Sequence, residues 1–309
     1  MTFSLLARDP STGQLGVAAQ SHYLGVGATV TWAEAGVGVV ATQACAARSY
    51  GPRGLALLRA GGSASDALSR LLDEDTHREI RQVGFLDAAG TIATHSGTRC
   101  IGAAGVEVGD HAVALGNMLD NDDVLPALLR GFEDADGDFA HRLVAGLAGA
   151  QDAGGDIRGS QSAALLVVDG RRTDEPWDGL IRDLRVEDHP EPVGELSRLV
   201  RLDDAFHRVS GVVFDPRGAV FGDPGSETDF AAAAESLADA AGVLDPNPEA
   251  MFWSAVVQAR WGRTDAARHL LAEASMRNAR LPRFLRYLSD AGILTPSAVA
   301  MMRGTGGAR

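Results

Sequence analysis

The sequence predicts an α+β chain: a four-layer αββα sandwich followed by a small all-helical C-terminal domain. Three observations predict it. Short apolar segments broken by glycine dominate the first half. Helical periodicity then arrives in pairs instead of between successive strands, which disfavours βαβ alternation and suits two antiparallel sheets stacked face to face, with helices outside. Beyond Ser210 the chain turns Ala/Leu/Arg-rich and helical. The expected organisation is residues 1–209 as the sandwich, 210–225 as a linker and 226–309 as the helical domain.

Each element follows from local pattern. Phe3–Arg8 and Gln14–Gln20 flank Asp9-Pro10-Ser11-Thr12-Gly13, which reads as a β-hairpin. Thr29–Trp32 and Val37–Gln43 continue the strand pattern across Ala35-Gly36. Helices are expected at Arg53–Ala60 and Ala64–Leu72, the second opened by Ser63 with Asp66 three residues on, as in a capping box. Arg81–Asp87 and Thr91–His95 form a second hairpin about Ala88-Ala89-Gly90, and His111–Gly116 is a further strand. Helices follow at Asp122–Phe132 and Phe139–Gln151. Ser162–Val168 is a short continuous apolar run, as in a strand buried on both faces. Leu180–Glu187 reads as a half-exposed last strand, Leu196–His207 as a helix and Val212–Phe221 as a short strand. Four helices complete the chain: Asp229–Ala241, Pro248–Trp261, Asp265–Asn278 and Phe284–Ala291. In the middle pair Ala255, Gly262, Ala267, Leu271 and Ala274 are spaced like a tetratricopeptide hairpin, with Gln258 where that pattern has a large aromatic.

Composition excludes several function classes. The chain has 309 residues and a net charge of −13, and all 28 basic residues are arginine. Without lysine there is no Schiff-base enzyme, no Walker P-loop and no Ser-Lys dyad. Through residue 214 there are 18 arginines against 30 acids, a balance that repels phosphate backbones, so no nucleic-acid partner is expected. Residues 260–286 reverse it locally, with seven arginines against two acids. No run approaches ~18 apolar residues, and the first residues lack a basic, apolar leader. A cytoplasmic homo-oligomer with no membrane association is expected. Cys45 and Cys100 form no CxxC pair and the eight histidines are scattered, so neither a disulfide framework nor a metal site is expected.

Three tempting motifs fail. Gly36-Val-Gly38-Val-Val-Ala41 matches a dinucleotide fingerprint by letter but opens a strand-like run, so no cofactor is assigned. Asp134-Ala-Asp136-Gly-Asp138 lacks the glycine and the bidentate glutamate of a calcium loop and reads as an inter-helix turn. No GxSxG elbow exists.

What remains is Thr2. Initiator Met is usually removed when a small residue follows, and removal would place a hydroxyl and a free α-amine on one residue. The unperturbed amine has a pKa of about 7.7–8.0, so near neutrality it can take the hydroxyl proton directly or through one water. This is the N-terminal threonine form of an activated nucleophile. Its place at the start of the first strand gives it a rigid platform.

The sequence around it resembles a known family. Thr2-Phe3-Ser4 through Arg8-Asp9-Pro10 and Gly13 through Gly16 are similar to the opening of domain of unknown function 1028. Further blocks match in order: Trp32 through Gly38, Ala41 through Ala44, Tyr50-Gly51-Pro52-Arg53-Gly54, Arg81 through Gly84, Gly116 through Leu119, Gly154-Gly155-Asp156 and Gln161 through Leu165. The resemblance covers about residues 2–209. It implies an N-terminal-nucleophile (Ntn) hydrolase-like αββα fold, and the tail is similar to an extra region of some members labelled as peptidoglycan-binding. Proteasome-type sites hold their nucleophile with a lysine, which this chain lacks.

The residues then take expected roles. Thr2 is nucleophile and, through its amine, general base. Asn117 donates to the oxyanion, or is a turn residue. Asp156 and Arg158 orient the amine or bind a substrate carboxylate, or form a structural pair. Arg53 and Gln43 are substrate-binding candidates, with a helix start and a ladder-end polar residue as the plain alternatives. The expected function is hydrolysis of a small amide, imide or related C–N bond. The alternatives are a non-catalytic fold relative that binds a metabolite or partner, and a self-compartmentalised threonine peptidase.

Overall fold

The computed structural model describes residues 2–175, 177–222 and 227–304, without the side chains of 227–229. The chain divides into two compact units, Met1–Val200 and Arg201–Arg309.

The first unit holds two antiparallel sheets. One has six strands, in the order β10 (Leu180–Val186), β9 (Ser162–Val168), β2 (Leu15–Ser21), β1 (Thr2–Arg8), β8 (Ala112–Asn117) and β7 (Gly105–Gly109). The other has four: β3 (Thr31–Glu34), β4 (Gly38–Ala44), β5 (Arg81–Asp87) and β6 (Ile92–Ser96). The alternation of side chains along a strand separates three apolar layers. Phe3, Leu5 and Ala7 of β1 pack with Leu128 and Phe132 of α3 (Val124–Glu133) and with Leu143 and Leu147 of α4 (Phe139–Asp152). Leu6, on the opposite face, meets Val39, Ala41 and Leu86 of the second sheet. The far face of that sheet, with Val40, Val83 and Phe85, is covered by α1 (Tyr50–Arg59) and α2 (Ala64–Glu74). Helices thus cover the outer face of each sheet, as the paired periodicity predicts.

Local chemistry fixes the connections. The Asp9 carboxylate Oδ1 accepts the N–H groups of Ser11 (2.7 Å) and Thr12 (3.0 Å), and Gly13 takes the left-handed backbone at φ 76° that ends the β1–β2 turn. Ser63 caps α2 through the N–H of Asp66 (3.1 Å), and Asp138 caps α4 through the N–H of His141 (3.0 Å). The acidic Asp134–Asp138 stretch is accordingly an inter-helix turn ending in a cap. At Gly54 an added Cβ would lie 2.3 Å from the Phe85 ring, so glycine is what lets α1 lie close on its sheet.

In the second unit α6 (Glu227–Leu244), α7 (Glu249–Arg260), α8 (Thr264–Arg277), α9 (Leu281–Asp290) and α10 (Pro296–Met302) follow one another. Ala255, Ala267, Leu271 and Ala274 are buried along the α7–α8 hairpin, and Phe252 stacks on Phe284 with ring centres 5.1 Å apart. No helix among the described residues is long and apolar enough to cross a membrane.

Two expectations about elements are corrected. The strand at Val212–Phe221 does not form: α5 (Pro192–Val213) runs unbroken into that segment, with turns after it. Residues 223–225 of the expected linker lie outside the described residues. The β7 strand was not anticipated, because its Val106-Glu107-Val108 alternation spans only three residues between glycines and, at the sheet edge, leaves Val108 exposed.

Candidate active site

Five strands of the two sheets become polar at one end of the space between them. Thr2, Ser21, Gln43, Gln82 and Asn117 stand at the strand positions that, further along, carry the apolar residues of the inter-sheet layer. All five are buried. Register brings them together: Thr2 lies opposite Asn117 across β1–β8, and Gln43 opposite Gln82 across β4–β5. The first pair belongs to one sheet and the second to the other.

Hydrogen bonds join the two pairs. Gln43 donates Nε2 to the Thr2 carbonyl (3.2 Å) and to Gln82 Oε1 (2.8 Å), and its Oε1 accepts the Ser4 hydroxyl (2.7 Å). Gln82 Oε1 also accepts from Asn117 Nδ2 (2.9 Å), while its Nε2 donates to the Gly116 carbonyl (2.8 Å) and the Ser96 hydroxyl (2.8 Å). The Thr2 hydroxyl donates to Ser21 Oγ at 3.1 Å. One atom of the network is buried without a hydrogen-bond partner, Asn117 Oδ1. Strand geometry breaks immediately beyond it: Ala44 and Met118, the residues after Gln43 and Asn117, have φ of 63° and 50°. Non-glycine residues seldom hold that conformation, and such strain concentrates at functional sites.

Thr2, Ser21 and Gln43 open onto a cavity of about 290 Å³. Tyr23, Val26 and Val30 give it an apolar side, and Ala44 and Ala46 line it from the turn after β4. Among the described residues that line it there is no Asp, Glu, His, Cys or Arg, the side chains that usually hold a metal ion.

The remaining predicted residues lie elsewhere. Asp156 is buried, accepts the His22 N–H (3.0 Å) and the Arg158 N–H (2.8 Å), and pairs with the Arg158 guanidinium at 3.3 Å. It therefore fastens the turn that follows Ser21 and does not line the cavity; nor does Arg158. Arg53 is ion-paired with Glu74 in a separate depression beside Tyr50 and Asp75. Gln43 lines the cavity; Asn117 does not, and reaches it only through the network. Met1 lies outside the described residues. Sequence reasoning missed Gln82, Ser21 and Ser4. Their only signal is a polar residue at the inward position of an otherwise apolar strand.

A comparison with curated proteins gives no match. The sequence model of a family of unknown function, DUF1028, matches residues 2–196. Among solved structures, the crystal structure of protein SPO2555 from Silicibacter pomeroyi, which carries the same family assignment, is similar. It aligns with 34% identity and a TM-score of 0.59, over 65% of this chain and 84% of that one. The stretch matched by the family model, residues 2–196, contains both sheets and every residue of the Thr2 network. The chain belongs to the DUF1028 family.

Proposed function

We propose that the protein is an Ntn-type amidohydrolase of the four-layer αββα class, cleaving a small amide or related C–N bond with Thr2 as nucleophile after loss of Met1. The observation that carries this reading is the position of Thr2. It is the first residue of an interior strand, buried, with its hydroxyl donating to Ser21 and its residue lining a cavity. A nucleophile so held loses little freedom on reaction, which is the entropic part of catalysis.

In the proposed reaction Thr2 Oγ1 attacks the amide carbonyl carbon. Its proton passes to the freed α-amine and from there to the departing nitrogen as the C–N bond breaks, leaving an acyl ester. Water, deprotonated by the same amine, then adds to the ester. The ester C–O bond breaks, the acid leaves, and Oγ1 recovers its proton. Asn117 takes a different role from the one its residue type suggests. Its Nδ2 is committed to Gln82, and the uncommitted atom is the acceptor Oδ1, beside the strand position paired with Thr2. We assign Oδ1 to orient the α-amine. Gln43, Gln82 and Asp156 are positioning residues.

The test is intact-mass spectrometry of the purified protein before and after a β-lactone, with Thr2→Ala alongside. Loss of Met1 and a single adduct absent from Thr2→Ala are expected. Retained Met1, or an adduct indifferent to Thr2, overturns the proposal.

A further inference from the structure

We infer that the cavity beside Thr2 accepts an uncharged, largely apolar acyl group, so that the substrates are small neutral amides and not amides of acidic or basic acyl groups. The inference rests on the Thr2 reading above and narrows it.

The walls carry it. Tyr23, Val26 and Val30 supply an apolar side, and Tyr23, at 66% exposure, leaves its ring at the mouth. The polar lining, Ser21, Thr29 and Gln43, is neutral. Gln43 is further committed at both ends of its amide, to Ser4 and to Thr2 and Gln82. A carboxylate entering this space would shed its hydration with no guanidinium among the described lining residues to replace it, and the Thr2 α-amine acts as the base in its neutral form. An ammonium group would find no carboxylate. Either loss is large, since an uncompensated charge in a protein interior is among the costliest arrangements known.

Three charged candidates, Arg53, Asp156 and Arg158, are engaged outside the cavity. Asp156 and Arg158 pair with each other behind the His22 backbone, and Arg53 pairs with Glu74. Size agrees with the chemistry. At about 290 Å³ the cavity stands at the lower end of the ~300–1,000 Å³ range of ligand pockets, room for one small acyl group and not for a peptide segment.

The experiment compares three β-lactones of matched size, bearing an isopropyl, a carboxylate or an ammonium substituent, on the full chain freed of Met1. Attack by Thr2 Oγ1 opens the lactone C–O bond and moves the proton to the released hydroxyl, so each adduct adds the whole mass of its probe. The isopropyl probe is expected to label at least about tenfold faster than either charged one. A charged probe that labels Thr2 as fast or faster overturns the inference while leaving the nucleophile in place. No adduct from any probe on the folded protein brings down the Thr2 reading, and the inference with it. Val30→Arg is expected to turn the preference toward the carboxylate probe. Thr29→Arg, at a half-buried position of the lining, asks the same if Val30→Arg does not fold, and an unchanged preference in the folded variant overturns the assignment of that wall to the acyl group.

Discussion

Gln43 holds the Thr2 carbonyl from the opposite sheet, at 3.2 Å and across 41 positions of sequence. Its Oε1 takes the Ser4 hydroxyl as well, so one side chain fastens β1 at two successive inward positions. Gln43 is in turn held by Gln82, which makes Gln82 the residue on which the whole polar end depends.

Gln82→Ala should therefore strand Asn117 Nδ2 away from water and leave Gln43 Nε2 only the Thr2 carbonyl. A buried polar group left unpaired costs ~1–3 kcal/mol, so a loss of at least about 2 kcal/mol is expected in guanidinium melts. Acylation of Thr2 by a β-lactone should slow in the same variant under conditions where it remains folded. A labelling rate equal to wild type would separate the network from the site.

Gly54→Ala should destabilise by ~1–3 kcal/mol, because the new methyl group has no space beside the Phe85 ring. Phe85→Leu in the same chain should recover part of that loss. A double-mutant cycle by chemical denaturation measures the coupling, and strictly additive effects would contradict the close approach of α1 to the sheet.

Asp9 predicts an acid-sensitive turn. Burial alone pushes its carboxyl upward, but the Ser11 hydroxyl, the Thr12 and Ser11 N–H groups and Arg142 outweigh that and hold it below the ordinary carboxylate value. With the folded pKa below the unfolded one, the contribution is present above about pH 3.9 and lost as pH falls through the folded value. Asp9→Asn should lose about 1 kcal/mol at pH 7. The gap to wild type should close as the pH of the urea melts is lowered.

Tyr50 predicts an alkaline signature. Burial first, then the Asp75 carboxylate 3.2 Å from its hydroxyl, pushes its pKa up to about 12. Its contribution to stability is full below the unfolded value near pH 10 and declines as pH rises toward 12. Ultraviolet absorbance titration of the folded protein should show a step near pH 12 that is missing in Tyr50→Phe.

The legible parts of this fold were those specified within a few residues. The Asp9–Gly13 turn, the Ser63 cap, the acidic turn ending at Asp138 and the α7–α8 small-residue hairpin all rest on neighbours in sequence. The candidate site was legible at Thr2, where two functional groups share one residue, and at Gln43, a polar residue near the end of its strand. Gln82 escaped because its role arises from register: it matters by facing Gln43 on one strand and reaching Asn117 on another sheet. Arg53 misled for the complementary reason. A guanidinium between two glycines resembles an anion site until the glycines are seen to be spacers under α1 and the charge to be spent on Glu74. The last stretch of α5 escaped because Val212 and Val213 carry strong β-propensity that the preceding helix overrides.

The interior position of β1 has a consequence for motion. Its amides are shared with β2 on one side and β8 on the other, so they open to solvent only when the sheet itself opens. Hydrogen exchange along Phe3–Ala7 should consequently be among the slowest in the chain, while Tyr23 and Leu24 at the mouth exchange quickly. The floor of the cavity then behaves as a fixed wall, and any adjustment to a bound molecule falls to the rim.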